Sequence, residues 1–304
     1  MENKTQRIRL ENDVLEAQIS LHGAELKSLK KKEDGTEYMW NADPAYWGRT
    51  SPVLFPFVGG VRDKKYRIGD REYPMGQHGF ARDREFVLTE QSGATAWFAL
   101  EDDAASREVY PFRFRLEIGY RLEGQSLHVM WRVRNRDTKE MYFAIGAHPA
   151  FFCPLRAGEE QSDYSLCLRT SDGQALSSFV NRVFGAGGLA TDRTAVYELE
   201  SGRLPVSEHL FDGDALILEN GQTQEIALVD PQGRAYLAVH FDSPLVGIWS
   251  PPKKHAPFVC IEPWYGRCDR EGFDGELKDR EWENRLAPEQ VFEAQYRIEI
   301  LRNI

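Results

Sequence analysis

An acid–base catalyst needs, at minimum, a carboxylate held in apolar surroundings and a histidine that exchanges protons near neutrality. This chain has both. Phe258-Val259-Cys260-Ile261-Glu262-Pro263-Trp264-Tyr265-Gly266 places Glu262 inside an apolar run. A carboxylate buried there is costly unless paired, and burial lifts its pKa towards the range of a general base. A structural ion pair is the competing role. In Ile145-Gly146-Ala147-His148-Pro149-Ala150-Phe151-Phe152, residues Tyr142, Ala144, Gly146 and His148 share one face if the backbone is extended. Pro149 cannot donate to a sheet ladder and should end the strand. His148 then suits either a cleft edge or a hydrogen-bonded place in the core. Gly76-Gln77-His78-Gly79-Phe80-Ala81-Arg82-Asp83 sets Gln77, His78 and Arg82 among glycines that allow close approach to a ligand, or else forms a polar turn with an exposed histidine. In Leu210-Phe211-Asp212-Gly213-Asp214-Ala215-Leu216-Ile217, Asp214 precedes an apolar run. It could accept from ligand hydroxyls, although spacing alone fits a turn aspartate. Trp40, Trp47, Trp249, Trp264 and Tyr265 offer flat faces that suit sugar rings or ordinary core packing.

Other chemistries lack their signatures. There is no phosphate-binding GxxxxGK[ST] loop, no GxSxG elbow, and no HExxH or tight His/Cys group suggesting zinc. Cys153 follows His148 closely, but a buried small hydrophobe is its commoner role. The four cysteines, Cys153, Cys167, Cys260 and Cys268, form no CxxC pair and read as reduced thiols, which points to the cytoplasm. The net charge of −10 disfavours nucleic acid and anionic membranes as partners. Residues 1–7 hold no apolar stretch, so no signal peptide is expected, and no apolar run approaches the ~18 residues of a membrane span.

Strands should position these groups. Apolar residues alternate in Phe112, Phe114, Leu116, Ile118 and Tyr120, again in Leu127, Val129, Trp131 and Val133, and again in Phe292, Ala294, Tyr296, Ile298 and Ile300. That period of two, with one apolar face, marks antiparallel strands packed on one side. Turn residues separate the runs at Glu33-Asp34-Gly35, Glu123-Gly124, Asp230-Pro231-Gln232-Gly233 and Glu271-Gly272. Helical periodicity is scarce. Short helices are expected only at residues 177–184 and 280–286, and residues 186–188 should form a loop. With 41% hydrophobic residues, no internal repeat and no low-complexity linker, the 304 residues read as one all-β domain over 1–304, with two large sheets facing each other.

Taken in order, several segments resemble the aldose 1-epimerases (galactose mutarotases), and specifically their LacX-type branch. They are Gly23-Ala24-Glu25-Leu26, Tyr46-Trp47 with Ser51-Pro52-Val53-Leu54-Phe55-Pro56, His78-Gly79-Phe80-Ala81-Arg82, Gly146-Ala147-His148-Pro149, Asp214-Ala215-Leu216, Val246-Gly247-Ile248-Trp249-Ser250, and Cys260-Ile261-Glu262-Pro263-Trp264-Tyr265-Gly266. The resemblance implies a large antiparallel β-sandwich, the galactose mutarotase-like supersandwich, with few short helices. It implies a mutarotase that interconverts hexose anomers, with no cofactor and no metal, a small-molecule sugar as partner, and a monomer or homodimer. Glu262 matches the general base at the anomeric hydroxyl, and His148 the general acid at the ring oxygen. His78 matches a second histidine on the ring-oxygen side, and Asp214 a binder of sugar hydroxyls. Gln77, Arg82 and Trp249 are further candidate contacts. Gly60 stands where many relatives carry arginine, and Arg62 or Lys64 is expected to replace it. The alternatives are a hexose 6-phosphate epimerase, with Arg82 at the phosphate, and a non-catalytic sugar binder on the same scaffold.

Overall fold

The computed structural model describes residues 6–301. Its strands are joined antiparallel throughout the two large sheets. One sheet has nine strands in the order Arg203–Pro205, Ser165–Arg169, Glu225–Val229, Ala235–Phe241, Val291–Ile300, Ser126–Asn135, Phe114–Glu123, Thr95–Glu101 and Val87–Gln91. Its centre is the set of alternating runs noted above. Val129 lies opposite Tyr120 on one side and Tyr296 on the other, and Trp131 opposite Ile118 and Ala294. Leu116, Ile118, Tyr120, Leu127, Val129, Trp131, Val133, Tyr296 and Ile298 are buried on one face, as a period of two requires.

The second sheet runs Ala190–Glu198, Ser178–Phe184, Leu216–Leu218, Leu245–Trp249, Phe258–Tyr265, Ile145–Ala147 and Val53–Leu54, with Ala150–Phe152 also paired to Phe258–Tyr265. Its middle strands are buried on both faces. Leu216, Leu218, Val246, Ile248, Val259 and Ile261 join the core shared with the nine-stranded sheet. The alternate positions Leu54, Ile217, Leu245 and Trp264 cluster separately on the opposite face, and Cys260 with Phe258 and Trp40 beside them. A sandwich buries only the inner face of each sheet, so a second buried face means that loops cover it. A three-stranded sheet, Arg7–Glu11, Leu15–Ser20 and Leu26–Lys31, adds Leu10, Leu15, Ile19 and Leu26 to the main core.

The two expected helices do not form. Residues 178–184 make a strand in which Phe179 and Asn181 are buried while Val180 is exposed, and neighbouring strands pair on both sides. The serine-led, valine-containing segment fits that half-buried pleat better than a helix lacking an apolar stripe. At residues 280–286, Trp282 takes a left-handed φ of 63° and Asn284–Leu286 pairs with Met141–Phe143. The side chain of Arg280 is buried between Asp269 and Glu283, at 2.6 and 2.7 Å. This ion pairing and strand pairing outweigh local helix propensity. Among the described residues an α-helix forms at Ala104–Val109, capped by Asp103, which accepts from the Ser106 N–H while Ser106 Oγ accepts from the Asp103 N–H.

Candidate active site

Strand pleating sets which groups meet on the covered face of the second sheet. Along Phe258–Tyr265, Val259 and Ile261 point into the core, so Cys260, Glu262 and Trp264 point outward. Gly247 stands directly opposite Glu262, and Gly146 opposite Trp264. A Cβ at Gly247 would lie 2.4 Å from the Trp264 ring, and one at Gly146 would lie 2.6 Å from it. The two glycines therefore let the indole lie flat on the sheet beside Glu262. In the next strand Ile145 enters the core, and the outward alternation continues through Gly146 to His148, just past the strand end, as Pro149 dictates.

His148 and Glu262 meet here. His148 Nδ1 is 3.4 Å from Glu262 Oε1, with both side chains at least nine-tenths buried. Neither His148 Nδ1 nor Glu262 Oε2 has a hydrogen-bond partner. Burial pushes the Glu262 carboxyl well above the usual carboxylate range, with the charge of Asp214 adding to the rise and the Trp264 indole drawing it back. Burial also drives His148 down to about 3, and the nearby Arg82 and Arg49 charges push the same way. Trp47 stacks on the His148 ring at 4.6 Å, and Trp249 meets the same ring edge-on at 5.4 Å.

His78 arrives from a separate loop, its ring centroid 5.6 Å from that of His148. It has a left-handed φ of 65°, followed by Gly79 at 68°, where a Cβ would lie 2.3 Å from the Phe55 carbonyl oxygen. The His78 N–H donates to the Gly59 carbonyl, and the Gly59 N–H donates to His78 Nδ1. An accepting Nδ1 puts the ring hydrogen on Nε2, so His78 offers a neutral donor. Burial, followed by His148, Arg82 and Arg49, holds its pKa well below 6.5.

Asp214 is half-buried with a left-handed φ of 83°, and its Oδ1 accepts from the Ala215 N–H. It is close enough to Glu262 to raise that group's pKa. Arg82 donates to the Gln77 carbonyl while its buried Nε makes no hydrogen bond and lies 3.8 Å from Asp83, and burial with the neighbouring Arg49 lowers it to about 10. The Gln77 side chain is exposed; its described hydrogen bond is through its backbone. Arg62 is placed elsewhere: its guanidinium donates to the Phe273 carbonyl and lies 3.5 Å from Asp63, in a groove with Tyr66 and Asp274. Lys64 is exposed. At Gly60, a Cβ would meet the Gly188 and Gly187 carbonyls at 3.1 and 3.3 Å, so the 186–188 turn occupies the space a long side chain would need.

Sequence reasoning did not single out Arg49, which pairs with Asp83 at 2.7 Å and acts on both histidines. It also missed the chain Arg182–Glu219–Arg267 on the outer face, at 2.9 and 2.7 Å. A lone arginine after Tyr46-Trp47-Gly48 carries no motif, and Glu219 is tens of residues from both of its arginines. Glu25, by contrast, lies in a segment noted above and now has a physical task. Buried at 7% exposure, it accepts from the Thr50 and Ser51 N–H groups at 2.7 and 2.9 Å. This fixes the turn whose Thr50 and Pro52 carbonyls accept from Ala150 and His148. The sequence also showed no tight His/Cys group, yet folding gathers His148, Cys260 and Glu262 so that their ligand atoms lie within 4.8 Å of one another.

The aldose 1-epimerase family profile matches residues 6–276, and the chain belongs to that family. Within it, the chain is 35% identical over 303 residues to the chromosomal LacX protein of Lactococcus lactis subsp. lactis, spanning 97% of this chain and 99% of that one. It is also similar to a galactose mutarotase related enzyme from Lactobacillus acidophilus, with a TM-score of 0.91 and 32% identity over 98% of both chains. A galactose mutarotase-like protein from Lactobacillus casei gives 0.88 and 34%, covering 97% of this chain and 100% of that one. No helix among the described residues is long and apolar enough to cross a membrane.

Proposed function

We propose that the protein is an aldose 1-epimerase that interconverts the α and β anomers of a free aldohexose. The observation that carries this is the 3.4 Å approach of His148 to Glu262, with unpartnered polar atoms on both. The anomeric oxygen O1 and the ring oxygen O5 are bonded to the same carbon, so the groups that serve them must lie side by side. Glu262 takes the proton from O1 as the C1=O bond forms, and His148 gives a proton to O5 as the C1–O5 bond breaks. Rotation about C1–C2 presents the other carbonyl face, and the reverse transfers close the ring. No electrons leave the sugar. Burial favours the proton on the carboxyl and a neutral imidazole. The working form, carboxylate plus imidazolium, holds the same number of protons, and its opposite charges stabilise each other. His78 Nε2–H donates towards O5, Asp214 accepts from sugar hydroxyls, and Trp47 and Trp249 flank the ring.

Proton NMR of freshly dissolved α-glucose and α-galactose tests this directly: the protein should accelerate anomer exchange. Exchange no faster than in buffer across common aldoses would end the proposal. A second reading has one observation in its favour. Arg82 Nε makes no hydrogen bond, and although Asp83 lies 3.8 Å away, the two cations Arg82 and Arg49 share that one carboxylate and would suit an anionic substituent. Glucose 6-phosphate belongs in the same assay, and exchange confined to it would select the phosphorylated substrate.

A further inference from the structure

We infer that His148, Cys260 and Glu262 form a three-ligand site for zinc(II), and that the ion silences the acid–base pair by occupying it. Cys260 and Glu262 are two residues apart on one strand and share its outer face, while His148 faces them from the neighbouring segment. One ligand atom from each lies within 4.8 Å of the other two, and all three residues are buried. Bonds of about 2.0–2.3 Å to nitrogen, oxygen and sulfur would close this span after modest side-chain rotation. The independent sign of an open site is that His148 Nδ1 and Glu262 Oε2 are both buried without a hydrogen-bond partner. Buried polar atoms are almost always satisfied, so these two are free to accept an ion.

The donor set selects the metal. One imidazole nitrogen, one thiolate and one carboxylate suit zinc(II), whereas a thiolate is a poor ligand for magnesium or calcium. Coordination replaces the S–H bond of Cys260 by an S–Zn bond and releases that proton, with the carboxyl proton, to solvent. Three protein ligands leave the fourth position for water. The lone pairs that the proposed epimerase would use are then held by the metal. Silencing thus rests on the proposed function, while binding itself does not.

Cobalt(II) added to the full chain as a spectroscopic substitute for zinc tests the site. Wild-type protein should develop the sulfur-to-cobalt charge-transfer absorption of a thiolate complex, and Cys260→Ser should not. Cys260→Ala gives the same readout should the hydroxyl be poorly tolerated beside Trp40 and Phe258. Zinc binding by calorimetry should weaken at least as much as on loss of an outer-shell partner, about 10- to 100-fold. Zinc, but not magnesium, should slow wild-type anomer exchange, and should slow Cys260→Ser far less relative to that variant's own metal-free rate. A cobalt–sulfur band that persists in both Cys260 variants, or its absence from wild type, overturns the site. Metal-free protein that exchanges no anomers but still shows the Cys260-dependent band would keep the metal site and reject the epimerase.

Discussion

Replacing Glu262 by glutamine removes one ionisable oxygen and changes little else in shape. The side chain is 2% exposed, its Oε2 has no hydrogen-bond partner, and the Trp264 indole lies beside it over Gly247. Two consequences follow from one cause. The variant should lose the general base, lowering kcat by about 10²–10⁴-fold, or roughly 3–5 kcal/mol of barrier. It should also lose a source of pH-dependent instability. Burial raises the pKa of Glu262 above that of the unfolded chain, so the folded state binds the proton more tightly. This contribution is fully favourable only below the unfolded glutamate pKa of about 4.3, and it weakens as pH rises towards the folded value. Urea unfolding from pH 4 to 8 should therefore show wild type losing stability relative to Glu262→Gln as pH rises. The limiting slope is about 1.4 kcal/mol per pH unit for one proton. Anomer exchange followed by NMR supplies the activity arm. Retention of full activity would remove Glu262 from the base role, and a stability difference independent of pH would refute the raised pKa.

Other expectations concern neighbouring groups. Because His148 is driven down to about 3, the histidine–carboxylate pair should keep a single proton across the ordinary histidine range, and kcat should stay level from about pH 5 to 7; a fall centred near 6.5 that disappears in His148→Gln would contradict this. His78→Gln should raise KM by roughly 2- to 12-fold, the worth of one neutral hydrogen bond, with a smaller change in kcat. Gly79→Ala should destabilise by about 1–3 kcal/mol or more in chemical denaturation, since φ is +68° and the new methyl would meet the Phe55 carbonyl. Arg280→Ala should cost about 3–5 kcal/mol, because it leaves Asp269 and Glu283 buried without their cation. Burial already lifts Glu283 to about 7 with Arg280 in place.

The sequence by itself was enough for the sandwich. Strict alternation in residues 114–123, 126–135 and 291–300 has a single physical solution, a half-buried antiparallel strand, and the structure builds the centre of its large sheet from those three. Alternation failed where strands are short or strained. Residues 178–184 carry no helix stripe, and only pairing with strands from elsewhere in the chain makes them extended. Glu262 and His148 were individually conspicuous, one as an acid in an apolar run and the other before a proline. Their union was not, because 114 residues separate them and strand register decides it. The same holds for Cys260: next to Glu262 in a strand it is simply two residues away, and pleating turns it towards His148. Tertiary structure alone also moved Arg62 away to Phe273, filled the space at Gly60 with the 186–188 turn and brought Arg49 to the histidines. Periodicity reports which face of an element is apolar. Only the closed fold decides which distant faces share a desolvated space, and in that space burial raises the pKa of the carboxyl and lowers that of the imidazole.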